Sequence, residues 1–111
     1  MIVTGKGPQK AEYEKLFNER NTDAWTEIKV ETAWLEADDY PKLVGSADLG
    51  VCLHYSSSGF DLPMKVVDMF AAQLPAFAIR YEAIHELVKE GRNGRIFDNR
   101  NDLADMIYEV L

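Results

Sequence analysis

The sequence is poor in cysteine and contains no long apolar run, and each absence narrows what the protein can be. Its single cysteine, Cys52, cannot form an intramolecular disulfide, and it is expected to pack as a small hydrophobic side chain in a reducing compartment. No apolar run approaches the ~20 residues of a membrane-spanning helix, and the N-terminus lacks the basic-then-apolar order of a signal peptide. The chain as given is therefore expected to be soluble.

Positive charge is also scarce. Lys and Arg together number 12 against 19 Asp and Glu, which gives a net charge of -7. Nucleic acid and anionic lipid are bound by clustered Lys and Arg, so neither is an expected partner. The sequence also has no Cys/His cluster for zinc, and no metal site is predicted. An anionic ligand would have to be held locally.

The 111 residues, 47% of them hydrophobic, fit one globular domain over 1–111. Short apolar runs alternate with stretches of helical periodicity along the whole chain, which predicts an α/β fold with a doubly wound, Rossmann-like parallel sheet of about five strands. In such folds ligands bind at the carboxyl ends of the strands, so the loops to inspect are 5–8, 34–40, 54–62 and 80–82. The predicted strands are 2–3, 28–34, 49–53, 76–79 and 95–97, and the predicted helices are 9–20, 40–47, 63–73, 83–90 and 103–110.

The most informative segment is 54–75, with the sequence HYSSSGFDLPMKVVDMFAAQLP. Asp61 is a plausible N-cap with Pro63 near the first helical position, and a helix N-terminus favours an anion such as a pyrophosphate. Asp61, Lys65 and Asp68 would form the only polar stripe of that helix, where a carboxylate can accept hydrogen bonds from ribose hydroxyls. The alternative is that Asp61 only caps the helix while Lys65 and Asp68 form a solvated ion pair.

Other candidates are weaker. The Gly5-Lys6-Gly7-Pro8 segment could bring backbone close to a ligand, although this motif alone favours a simple tight turn. Trp34 ends a predicted strand, where it could stack on a flat base or belong to the core. His54 also ends a strand and could donate to a phosphate or sugar oxygen, whereas His85 and Glu86 are expected to be a surface pair.

These residues lie in a stretch that resembles a known family. The segment WLEADDYPKLVGSADLGVCLHYSSSGFDLPMKVVDMF closely resembles the C-terminal part of the chitobiosyldiphosphodolichol beta-mannosyltransferases, which have a GT-B fold. The likeness extends outward to VTGKGP and HELVKEGRNG, so it covers nearly the whole chain.

The resemblance implies a donor-binding domain for GDP-mannose, from an enzyme that adds the first mannose to dolichol-linked chitobiose at the cytosolic face of the endoplasmic reticulum. It implies that Asp68 holds the donor's ribose and that no metal is required. The backbone of 59–64 would take the pyrophosphate, 5–7 would approach it, and Trp34-Leu35 would border the guanine. The residues expected to bind the donor are Gly5, Lys6, Gly7, Trp34, Leu35, His54, Ser57, Ser58, Gly59, Phe60, Asp61, Leu62, Pro63, Met64, Lys65 and Asp68.

The chain departs from the family pattern in three side chains and in length. Ala71 and Gln73 stand where relatives usually have glycine, and Phe60 stands where leucine is common. Relatives also have an N-terminal domain with a membrane anchor, which supplies most of the acceptor site, and their C-terminal domain begins one strand-helix unit earlier. The chain is therefore expected to be a fragment that cannot catalyse transfer alone, with an open sheet edge that favours self-association or marginal stability.

Two other function classes were weighed. A non-catalytic interaction module would keep the fold but tolerate replacement of Asp61, Lys65 and Asp68. A signalling receiver of similar size is disfavoured, because it needs an acidic cluster at the carboxyl ends of its strands and the third predicted strand ends in His54-Tyr55-Ser56 instead.

Overall fold

A computed structural model describes residues 1–110 of the chain. The chain divides into two compact units, Met1–Asp39 and a second that begins at Tyr40. The elements in order are β1 (Ile2–Thr4), α1 (Lys10–Asp23), β2 (Glu31–Ala33), α2 (Tyr40–Ser46), β3 (Gly50–Cys52), α3 (Met64–Ala71), β4 (Ala76–Ile79), a 3₁₀ turn (Ile84–Glu86), β5 (Gly94–Phe97) and α4 (Arg100–Val110).

The first unit is a small β-α-β arrangement. β1 and β2 pair in parallel, with Val3 opposite Thr32. The Asn21 side chain of α1 donates to the Val30 carbonyl at 2.7 Å and accepts from the Val30 amide at 2.9 Å. Val30 is buried, whereas α1 buries no residue. The predicted strand 28–34 is shortened to Glu31–Ala33, and on its N-terminal side the backbone of Val30 bonds to a side chain of α1.

The second unit contains a parallel sheet in the order β3-β4-β5. Side chains alternate across β4, so Ala76 and Ala78 join a core with Val66 of α3, while Phe77 packs with Met106 of α4 on the opposite face. Helices therefore cover both faces of this sheet, as a doubly wound fold requires. The predicted core role of Cys52 is confirmed, since its side chain is buried beside these residues.

The α/β class is confirmed, and all strand pairs within residues 1–110 are parallel. The single sheet of about five strands is corrected: the five strands form a two-stranded sheet and a three-stranded sheet. Hydrophobic periodicity identifies a strand but not its neighbour, and β1 and β2 are three-residue strands without a buried side chain that could specify one.

The predicted helix over 83–90 is wrong, because only Ile84–Glu86 is helical and it is a 3₁₀ turn. The Asn93 side chain explains the difference. Its Oδ1 accepts from the Lys89 amide at 2.7 Å and its Nδ2 donates to the Leu87 carbonyl at 3.1 Å. An asparagine side chain thus satisfies backbone groups that a continuing helix would have used.

α3 ends in a Schellman motif. The Leu74 amide donates to the Met69 carbonyl and the Gln73 amide to the Phe70 carbonyl, both at 2.9 Å. Gln73 occupies the left-handed position, with φ of 59°, and its side chain is exposed. A glutamine there points away from the neighbouring strand.

No helix within the described residues combines the length and the apolar character needed to cross a bilayer.

Candidate functional site

The segment of greatest interest, residues 53–63, connects β3 to α3 and is called the β3–α3 loop below. β3 ends at Cys52, so this loop leaves the sheet at the carboxyl end of a parallel strand. That edge is where open α/β sheets place their ligands.

Ser56 and Asp61 fold the loop onto itself. Ser56 is only 3% exposed, and its hydroxyl donates to Asp61 Oδ1 in a short hydrogen bond. The Gly59 amide donates to Ser56 Oγ at 2.9 Å, and the Ser58 hydroxyl donates to the same Asp61 oxygen at 3.1 Å. Asp61 is therefore the internal acceptor around which the loop is built.

The predicted N-cap role of Asp61 is wrong. α3 begins at Met64, its N-cap residue is Pro63, and no side chain caps it. The hydrogen bond from Ser56, followed by those from His54 and Ser58, lowers the pKa of Asp61 to about 2. The hydroxyls of Ser56 and Ser58 bond to the Asp61 carboxylate within the loop. Asp61 therefore stabilises the loop conformation and does not cap α3.

His54 meets Asp61 from the other side. The Nε2 atom of His54 lies 3.0 Å from Asp61 Oδ2, and the imidazole remains exposed. The ring of Tyr81 stands edge-on to it, with centroids 6.3 Å apart. The structure thus brings together His54, Ser58 and Asp61, three residues that the sequence nominated separately.

Tyr81 was missed by the sequence analysis, although it lies in the flagged loop 80–82. Its side chain is 6% exposed, and its hydroxyl donates to the Asp61 carbonyl at 2.8 Å. Burial, with a smaller effect of the Asp61 charge, raises the pKa of Tyr81 and keeps the phenol protonated near neutral pH. The available signal in the sequence was a tyrosine that closely follows a predicted buried strand, because a tyrosine hydroxyl at such a position needs a hydrogen-bond partner once it is buried.

Gly59 ties the loop to the same neighbouring segment. Its φ of +81° favours glycine, and a Cβ there would meet Glu82 Oε2 at 3.3 Å. Its carbonyl accepts from the Ala83 amide at 3.0 Å. Hydrogen bonds to the Gly59 and Asp61 carbonyls therefore hold the β3–α3 loop against residues 81–83, which follow β4.

On α3, the predicted polar stripe contains only two of its three members. Lys65 and Asp68 are exposed, while Val66 and Met69 are buried against the sheet. Asp61 lies outside the helix and cannot belong to its face. Burial, followed by the charge of Asp68, raises the pKa of Tyr40 at the start of α2.

The rest of the loop is open. Ser57 and Leu62 are exposed, and Pro63 is buried beneath the start of α3. Phe60 is 74% exposed and Met64 70%. Apart from Pro63, the side chains of residues 60–64 therefore lie at the surface of the unit.

The other predicted donor-binding residues lie in the first unit. Lys6 places its Nζ 4.4 Å from the centre of the Trp34 ring, in a cation–π contact. Trp34 is 53% exposed, which excludes the alternative that it belongs to the core. Leu35 beside it is half-buried. Gly5 has φ of +151°, and no atom lies within 4 Å of a Cβ built at Gly5 or Gly7, so the turn has open space around it.

A shallow groove of about 250 Å³ lies elsewhere in this unit, between α1 and β2. Its walls include Glu14 and Thr32, which are hydrogen-bonded to each other at 2.6 Å. A groove whose polar groups already bond to one another offers few unpaired groups to a ligand, and it is not part of the candidate site.

Comparison with known proteins gives a consistent answer. A chitobiosyldiphosphodolichol beta-mannosyltransferase from Homo sapiens is 53% identical over 103 residues, which cover 93% of this chain and 22% of the relative. A UDP-glycosyltransferase named TURAN from Arabidopsis thaliana is 54% identical over 106 residues, covering 96% of this chain and 22% of the relative. A beta-mannosyltransferase of the same name as the human protein, from Dictyostelium discoideum, is 47% identical over 109 residues.

This chain therefore spans about a fifth of the length of these curated relatives. No solved structure is significantly similar to it. The family model described as glycosyl transferases group 1 matches residues 1–111, the full length of the sequence. The resemblance to the C-terminal part of the beta-mannosyltransferases is confirmed, and the chain belongs to the glycosyl transferases of group 1.

Proposed function

We propose that this chain is the GDP-mannose-binding part of a beta-1,4-mannosyltransferase that adds the first mannose to dolichol-diphosphate-linked chitobiose. The observation that carries the proposal is the β3–α3 loop, which is fixed at a carboxyl sheet edge and leads directly into the N-terminus of α3. Such an edge, followed by the N-terminus of a helix, suits a diphosphate. The names of the human and Dictyostelium relatives support mannosyl transfer to a dolichol-linked chitobiose, and the donor GDP-mannose is part of the proposal.

Each proposed contact follows from the chemistry of the donor. The backbone of 59–64 would bind the diphosphate, and the exposed carboxylate of Asp68 would accept hydrogen bonds from the ribose hydroxyls. Within the first unit taken by itself, the exposed ring of Trp34 offers a flat face that could stack on a base, with Lys6 over it and Leu35 next in sequence. The proposal includes no metal ion, since backbone amides can donate hydrogen bonds to the diphosphate and Lys65 supplies a positive charge on α3.

Binding and catalysis would be separate properties of this chain. The chain spans about a fifth of its relatives, and we assign it no catalytic residue. The acceptor site and the catalytic base would lie in the part of the protein outside these residues, whose reaction would take place at the cytosolic face of the endoplasmic reticulum. The isolated chain should bind donor without transferring mannose.

Titration calorimetry with GDP-mannose tests the proposal. We expect saturable binding that EDTA does not change. UDP-glucose is the matched competitor, because one relative is named a UDP-glycosyltransferase, and it should bind at least about tenfold more weakly, as a mismatched base leaves polar groups unpaired. Absence of binding to a well-folded sample would overturn the proposal, and tighter binding of UDP-glucose would overturn its donor assignment.

A further inference from the structure

Within residues 1–110, the helix α1 buries no residue, although one of its faces lies on the sheet of the first unit. On that face Glu14 accepts from the Thr32 hydroxyl at 2.6 Å, and Asn21 bonds to the backbone of Val30. Residues three and four apart share one face of a helix, so the opposite, outer face carries Glu12, Leu16, Glu19 and Arg20. A shallow depression of about 350 Å³ lies on this outer face, lined by Glu12, Tyr13, Lys15, Leu16 and Glu19.

The outer face of α1 is apolar at its centre and charged on either side. Leu16 is 40% exposed and Tyr13 beside it 49%. Glu12 and Arg20 lie four residues before and after Leu16, which places each of them about 6 Å from it along the helix axis. Both side chains are exposed, and neither forms an ion pair within residues 1–110. The face therefore presents an apolar side chain between an unpaired negative charge and an unpaired positive charge.

This arrangement is complementary to itself when two helices are antiparallel. If a second copy of α1 runs in the opposite direction and the two Leu16 side chains meet, Glu12 of each copy lies level with Arg20 of the other. A two-fold axis through this contact creates both ion pairs at once. In a parallel pair each charge would lie beside its own copy and repel it. Lys15 and Glu19 add one charge of each sign, so the charges on this face cancel.

We propose that the outer face of α1 binds a second copy of this chain, with the two α1 helices antiparallel around Leu16 and paired through Glu12 and Arg20. The whole chain carries a net charge of -7, so two copies repel each other in general. A face whose own charges cancel avoids that repulsion locally. The contact uses side chains of α1, whereas association through an open sheet edge would use backbone groups of the strands. It involves no residue of the β3–α3 loop, so its test does not depend on donor binding.

Sedimentation velocity of the wild type and of charge-reversed variants tests the proposal. The wild-type mass should rise with concentration toward that of two chains. Glu12→Arg and Arg20→Glu should each weaken the association at least about tenfold, because like charges then face each other at both contacts. The double variant with both substitutions should regain the wild-type association, since its two charges have only changed places.

A mixture of the two single variants gives a sharper result. At these two positions the Glu12→Arg chain carries two positive charges and the Arg20→Glu chain carries two negative charges. Each should stay monomeric by itself at concentrations where the wild type associates. An equimolar mixture should form a heterodimer, because both ion pairs are then restored. Pairing through the backbone of a strand predicts no such recovery.

Asp105→Arg is the matched control, because it reverses an exposed carboxylate on α4 of the second unit. It should keep the wild-type association. A wild type that stays monomeric at every concentration would overturn the proposal, and so would an association that neither reversal weakens. Loss in both single variants without recovery in the double variant or in the mixture would overturn it as well.

Circular dichroism shows whether the charge variants fold. If one of them does not, disulfide trapping decides, because the two Leu16 side chains meet at the two-fold axis. Leu16→Cys should form a disulfide-linked dimer under mild oxidation faster than Tyr108→Cys, although Tyr108 on α4 is 87% exposed. The native Cys52 is buried and should not react. Equal rates for the two cysteine variants would overturn the interface.

Discussion

Individual side chains determine the conformation of the β3–α3 loop. Asp61 accepts hydrogen bonds from Ser56 and Ser58, meets His54, and has its own carbonyl bonded by Tyr81. Ser56 and Tyr81 are the buried members of this network, and Ser56 also accepts a hydrogen bond from the amide of Gly59. Hydrogen bonds to one ionised carboxylate thus organise the loop.

Asp61 should contribute to the acid sensitivity of the protein. Its pKa is lowered to about 2 in the folded state from an ordinary value of 3.8, so its stabilising effect is present above about pH 4 and is lost as the pH falls through about 2. Urea unfolding of the wild type should show stability falling across this window. In Asp61→Asn that fall should be smaller, because the amide does not titrate. An equal fall in both proteins would contradict the assigned role of the carboxylate.

Gln73 is a residue whose replacement should stabilise the fold. It adopts φ of 59° at the end of α3, a conformation that costs a residue with a Cβ about 1 kcal/mol relative to glycine. We expect Gln73→Gly to raise the free energy of unfolding by about 1 kcal/mol. Gln73→Ala is the control and should give no gain, since alanine keeps the Cβ. A gain in the alanine variant of the same size would show that the side chain, and not the backbone, is responsible.

At the scale of elements, the sequence predicted best those that are specified by apolar side chains. β4 was predicted at its observed bounds because every residue from Ala76 to Ile79 contributes to a core face. α4 likewise carries Leu103, Met106 and Ile107 on one buried side. Burial of one face fixes both the type and the position of such an element.

The failures occurred where a polar side chain competes for backbone groups. Asn93 limits the predicted helix 83–90 to one turn, Asn21 shortens the strand before Glu31, and Ser56 draws Asp61 away from the cap of α3. The pattern of apolar and polar residues cannot reveal such contacts, because the fold decides which backbone group a polar side chain meets. The candidate loop was therefore located correctly from sequence, while its internal contacts and Tyr81 were not foreseen.

The pairing of β4 with β5 depends on Gly94. It lies opposite Ala76 in the parallel register, and a Cβ at Gly94 would approach the Ala76 carbonyl oxygen to 2.0 Å. A backbone carbonyl cannot move aside as the end of a flexible side chain can, so the added methyl group would force the two strands apart. Gly94→Ala should therefore lower the free energy of unfolding by about 3 kcal/mol. Thermal unfolding measures the change.

Gly45→Ala provides the control for this substitution. Gly45 lies in α2 with no atom within 4 Å of its Cβ position, and alanine is the better helix former by about 1 kcal/mol. This variant should be slightly more stable than the wild type. Comparable losses in both variants would contradict a specific close approach at Gly94.

At the scale of the whole molecule, the two units are stabilised to different degrees. The second unit has a core on both faces of its sheet, whereas the first buries Val30 and no residue of α1. Regions with few buried apolar side chains open at low free energy. Hydrogen exchange should therefore be faster at the α1 amides than at those of β4, and equal protection would contradict this difference.

The first unit should also promote self-association. Large apolar side chains are exposed on it, including Ile2, Tyr13, Leu16 and Ile28, and its two-stranded sheet presents short strands that can pair further. Sedimentation should show a mass that rises with protein concentration. Replacement of Ile28 by lysine should reduce the association, and a monodisperse monomer at all concentrations would contradict the prediction.

The central claim is that the β3–α3 loop and α3 together bind a nucleotide sugar. The most direct measurement is the affinity for GDP-mannose of Asp68→Ala beside that of Asp105→Ala, an exposed carboxylate on α4 in the same unit. The account predicts about tenfold weaker binding for Asp68→Ala, from loss of the hydrogen bonds to ribose, and wild-type affinity for Asp105→Ala. Equal affinity of the two variants for GDP-mannose would contradict it.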